Sequence, residues 1–117
     1  VIDEKAIELG RVIGQTDEYK SVQRAREALE DISEIRAQTQ RLERLAEKIE
    51  EHARQQKEPP EEVKNEYEEL MSSIQAHPKY QQLVAAQANF DKLMLRVNQS
   101  ILEGMKKGAE SSIIIPG

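Results

Sequence analysis

The stretch AREALEDISEIRAQTQRLERLAEKIEEHA, residues 25–53, decides the fold class. Apolar and small side chains recur in two rows within it. One row is Ala25, Ile32, Thr39, Ala46 and Ala53; the other is Ala28, Ile35, Leu42 and Ile49. Steps of four and three residues alternate between the rows, which puts both on one face of an α-helix. Leu29 and Leu45 widen that face. The remainder is charged, with Arg26–Glu30 and Glu50–Arg54 spaced for ion pairs along the helix. The pattern predicts a helix from Thr16 or Asp17, either of which can cap it, to about Gln55. A run of that length exceeds the usual globular helix and implies a long hairpin or coiled-coil arm. Its weak point is Asp31–Ser33, where short polar side chains can cap a fresh helix and introduce a break.

Towards the N-terminus, VIDEKAIELGRVIG predicts a short helix from about Asp3 to Ile13. Asp3 is placed as its N-cap, Ile2 and Ile7 as a hydrophobic staple, and Ala6, Leu9 and Ile13 as its buried stripe. Gly14 ends it, and Gly10 leaves room for another helix to approach closely.

Towards the C-terminus, QQKEPPEE at 55–62 stops the long helix, because neither Pro59 nor Pro60 fits a helix interior. Pro60 suits the first turn of a third helix to Ala76, with Val63, Tyr67, Leu70, Met71 and Ile74 on one side. After His77-Pro78 a fourth helix is predicted to about Lys107, with Gly108 as its stop. Between Tyr80 and Leu102 only Asp91, Lys92 and Arg96 are charged. One apolar row is Tyr80, Leu83, Gln87, Phe90, Met94, Val97 and Ile101; a second is Val84, Ala88, Leu95, Leu102 and Met105. A helix apolar on two sides needs cover on two sides. This places the fourth helix at the centre, on the second and third helices and on a second subunit. Tyr19 and Tyr80 each follow a cap signal and read as ring-bearing helix starts folded onto the bundle. The expected fold is all-α: an antiparallel helical bundle or hairpin with two long helices, about 17–55 and 78–107, and two shorter ones. Residues 1–108 form the domain and 109–117 a tail, whose Ile113, Ile114 and Ile115 would dock on the bundle or hang free.

Composition narrows the function. The chain has 117 residues, enough for one domain. Only 3% of them are aromatic, which argues against an all-β fold. Net charge is -5, with 17 basic residues interleaved among 22 acidic ones. A nucleic-acid surface needs clustered Lys and Arg, so neither direct nucleic-acid binding nor an anionic membrane is expected. There is no Cys, which removes disulfides, thiolate chemistry and Cys-held zinc or iron–sulfur clusters, and fits a reducing cytoplasm. The start VIDEKAIELG does not read as a signal peptide, because Asp3, Glu4 and Lys5 interrupt any apolar core.

No catalytic constellation emerges. His52 and His77 fall at different helix ends, the first solvated and the second a cap. Glu50-Glu51, Glu61-Glu62 and Glu68-Glu69 are adjacent acids that point apart on a helix. The five glycines form no phosphate loop. No metal, cofactor or catalytic residue is expected, and the chain is read as a non-enzyme. Phe90, Met94, Val97 and Ile101, with Leu42 and Ile49 on the other seam, read either as ordinary core or as an oligomer or partner interface. Gln87 and Asn98 favour the interface, because polar groups in a seam need partners and fix register.

The strings LGRVIGQTDEYKSVQRA, QKEPPEEV and HPKYQQLVAAQANFDKLMLRVNQSILEG carry a resemblance over about residues 6–105. The combination is Leu9-Gly10, Thr16 with Glu18-Tyr19, Ala25, Pro59-Pro60, Pro78, and Ala88 with Phe90 ahead of a long apolar helix. It resembles the YlbF/YmcA family of small bacterial helical proteins, in particular the cysteine-free, YheA-like branch. The resemblance implies an antiparallel helical fold that assembles into dimers or larger oligomers. Some family members form a regulatory complex that binds iron–sulfur clusters through cysteines and is linked to messenger-RNA processing, competence, sporulation and biofilm decisions. Without Cys, cluster ligation does not carry over. The expectation is a cytoplasmic, non-enzymatic helical protein that self-associates, a dimer first, and acts through protein–protein contacts. The alternative is an accessory factor of an RNA-processing or developmental regulatory complex, acting through a protein partner.

Overall fold

A computed structural model describes residues 1–110. Those residues form five helices and no strand: α1 (Ile2–Gly14), α2 (Asp17–Glu30), α3 (Ser33–Arg54), α4 (Glu61–Ala76) and α5 (Pro78–Glu110). The fold is the expected all-helical, antiparallel bundle, drawn out to 66 × 36 × 20 Å. The outgoing arm is α2 and α3, and the return arm is α4 and α5. In the half nearer the chain ends, α2 packs on α5; in the other half, α3 packs on α4. The Ile113–Ile115 segment lies outside the described residues.

The 17–55 segment is two helices, and the break falls at the expected weak point. Its mechanism differs from the expected polar cap. Ile32 occupies the N-cap with extended backbone (φ -84°, ψ 109°) and makes no side-chain cap bond. The return arm breaks at His77 (φ -69°, ψ 130°), because a residue before proline is driven out of the helical region. The two breaks lie level across the hairpin. Gln38 bonds Ser73 at 3.2 Å on one side of them, and Arg26 lies beside Tyr80 on the other. The His77 ring caps the next helix as expected, its Nδ1 accepting from the Lys79 N–H at 3.1 Å.

Among the described residues the buried core is Val22, Ile35, Leu45 and Ile74. On α3 the inward seam is Ile35, Leu42 and Ile49 alternating with Gln38, Leu45 and His52. Thr39, Ala46 and Ala53, expected to share it, are exposed. Leu45, expected at the margin, is the most enclosed side chain at 1% exposure. The reason is packing: with only α4 lying along its length, the helix turns its bulky Leu inward and its Thr and Ala positions out. α3 ends in a Schellman turn, Lys57 N–H donating to His52 O at 2.8 Å and Gln56 N–H to Ala53 O at 3.0 Å. Gln56 holds the left-handed position (φ 58°) that glycine usually fills.

Further expectations, about α1, Gly108 and α5, are corrected. α1 starts from Val1, with Asp3 inside its first turn, and it buries nothing. Ile2 and Ile7 are 83% and 58% exposed, so there is no staple, and beyond α1's own backbone and Gly10's chain neighbours nothing lies within 4 Å of a Cβ built on Gly10. Gly108 does not stop α5, which continues to Glu110. Above all, α5 is not central. It has no buried residue, and no Cα of α3 or α1 lies within 8 Å of any of its own. Within the chain it is covered on one side, by α2, and abuts α4 at the His77 joint.

Because Leu45 anchors the α3–α4 half, Leu45→Ala should cost about 2–5 kcal/mol through lost burial and an unfilled cavity. Chemical denaturation checks this, and a change under 1 kcal/mol would contradict it.

Candidate interaction surface

The surface is built by what the helices do not cover. Asp17 and Glu18, at the start of α2, share a groove with Lys92 and Arg96 of α5. Beyond Val97, therefore, α5 runs past the end of its only lengthwise partner. The inward row of α5 is satisfied up to that level. Phe90 meets Tyr19 with ring centroids 5.8 Å apart and planes tilted by 56°, a favourable aromatic geometry. Met94 and Val97 are half-buried, while Ile101, past the end of α2, is 44% exposed. The outward row is open throughout: Val84 51%, Leu95 60%, Leu102 57% and Met105 64% exposed.

α1 adds a second open face, with Ile2, Ile7 and Val12 all more than half exposed. Its direction is fixed at the junction with α2. The Thr16 hydroxyl donates to Ile13 O at 2.6 Å and accepts from the Tyr19 N–H at 3.2 Å. The Gln15 N–H donates to Arg11 O and Val12 O. Leu9 then faces Val97, Ser100 and Ile101 across a cleft of about 440 Å³. The exposed large apolar side chains among the described residues all belong to Val1, α1 or α5; none is on α2, α3 or α4.

The residues expected as an interface are thus split. Phe90, Met94, Val97 and Ile101 share one face of α5. Leu42 and Ile49 are half-buried on α3, in the other half of the hairpin. The structure does not bring the two sets together. Sequence reasoning left Leu95, Leu102 and Met105 off the interface, although their row was visible. Only the structure shows that α2 is too short to cover the end of α5. Gln87, expected to seek a partner across a seam, bonds Asp91 one turn along its own helix at 3.0 Å. Asn98 stays exposed between Leu95 and Leu102.

Over residues 2–106 the chain matches the family described as control of competence regulator ComK, YlbF/YmcA. The chain belongs to the YlbF/YmcA family. No curated protein and no solved structure is matched. Among the described residues of this family member, no group of three His, Asp or Glu side chains is placed to hold a metal ion. Nor is any helix there long and apolar enough to cross a membrane.

The α3–α4 half carries the strongest polar contact, a two-pronged pair between Arg41 and Glu66. Arg41 Nε meets Glu66 Oε2 and Arg41 Nη2 meets Glu66 Oε1, each at 2.7 Å. The hydrogen bond from Arg41 holds the Glu66 carboxyl below its ordinary range. A lowered folded-state pKa adds stability above the unfolded-state value, and that stability disappears as pH falls through the folded one. Glu66→Gln should therefore flatten the acid limb of a plot of melting temperature against pH and leave the shape above neutrality unchanged. Parallel limbs for the two proteins would contradict this.

Proposed function

We propose that this protein is a non-enzymatic, cytoplasmic regulatory protein that self-associates, as a dimer, and acts through protein–protein contacts. The observation that carries the proposal is the confinement of exposed apolar bulk to α1 and α5. Exposed apolar side chains gathered on particular elements, with a polar remainder, mark protein–protein contact sites. The inward row contributes where it runs out of cover, at Ile101, with Met94, Val97 and Phe90 supporting it from within. Leu42 and Ile49 belong to the same reading as seam residues that steady the far half. The family's link to ComK supports a regulatory role. The net charge of -5 supports partners that are proteins rather than nucleic acid.

Light scattering should give a dimer mass at tens of micromolar. Leu102→Glu should raise the dimer dissociation constant by at least about 100-fold with helicity unchanged, since burying an unpaired carboxylate costs several kcal/mol. Met94 and Val97 are less clean probes, because they also pack inside the protomer. A wild-type chain that stays monomeric at these concentrations would overturn the proposal.

A further inference from the structure

We propose that two copies of this chain pair reciprocally, α1 of each lying antiparallel on the α5 extension of the other. This deepens the self-association reading and rests on it.

Length is the first argument. The α5 extension, residues 98–110, and α1 each have about 13 residues and span about 20 Å. Between them they hold most of the exposed large apolar side chains of the described residues. The second is the junction. The Thr16 and Gln15 hydrogen bonds fix α1 at the angle that leaves this cleft open, so closing it within one chain means disturbing a satisfied cap. A second copy can fill both open faces with those caps intact, and a two-fold axis does so twice over.

Charge sets the direction. Asp3 and Glu4 open α1, and Lys106 and Lys107 lie near the end of α5. Antiparallel packing brings the acids onto the lysines; parallel packing does not. The Lys107–Glu103 pair at 3.2 Å and the Lys5–Glu8 pair at 3.8 Å are both well exposed. Such pairs are weak and free to re-form across an interface. In this register Leu9 comes level with Ile101 and Leu102, and Ile2 with the last turn of α5.

The test uses two full-length variants, one carrying Asp3→Lys with Glu4→Lys and the other Lys106→Glu with Lys107→Glu. Each alone places like charges together at both contacts and should weaken the dimer about tenfold by light scattering. Mixed in equal amounts they should recover the wild-type dimer affinity, because each α1 then meets an opposite charge on its partner. A single chain carrying all four changes should dimerise with itself. Each reversal also disturbs the dipole of its own helix, but that loss is not rescued by mixing. Variants that dimerise like wild type, or a mixture that recovers nothing although the wild type is a dimer, would overturn the reciprocal pairing and leave self-association standing. A monomeric wild type would remove both.

Discussion

A helix can hide its apolar face only along the length of what lies beside it. α5 has 33 residues and is about 50 Å long, whereas α2 has 14 and is about 21 Å long. That mismatch divides the molecule. Where the two helices overlap, Val22 is buried and Tyr19 meets Phe90. Where α5 continues alone, Ile101, Leu102 and Met105 face water. The far half behaves differently. There α3 and α4 enclose Ile35, Leu45 and Ile74, and Arg41 and Glu66 tie the outer edge. The α3–α4 half is finished, and the α1–α5 end is not.

The junction at Gln15–Thr16 turns this imbalance into a surface with a definite shape. A free segment could collapse onto the nearest apolar patch. α1 is instead a formed helix held by hydrogen bonds to its own last carbonyls and to the cap of the next helix. The radius of gyration of 21.4 Å, against about 13 Å for a compact domain of this size, reflects the same extension. Isolated helices as short as α1 are marginal in water, so the proposed partner surface would also stabilise α1 itself.

Much of this architecture was legible in the residues, and the limits of that legibility have physical causes. Pro59-Pro60 and His77-Pro78 marked two boundaries because proline restricts backbone angles wherever it stands. Thr16 marked a third through its cap. The break near Asp31 was visible as a weakness, yet the residue that adopts extended backbone is Ile32, for which no local signal existed. The heptad spacing identified α3 as amphipathic but not its rotation. Only α4 lies along its length, so Leu45 turned inward and Ala46 outward. Apolar residues on both sides of α5 were read as a demand for cover on both sides, but spacing does not say where a neighbouring helix ends. For the same reason the interface residues chosen from the inward row, Phe90, Met94 and Val97, lie against the chain itself, while Leu95, Leu102 and Met105 stand open.

The central claim is that a second copy covers α1 and the end of α5, and concentration is the variable that isolates it. Amide hydrogen exchange, followed from high to low protein concentration, resolves those segments from the rest of the chain. The account predicts that protection in residues 5–14 and 98–110 falls together on dilution while α3 and α4 stay protected. Exchange in those two segments that is the same at every concentration would contradict it.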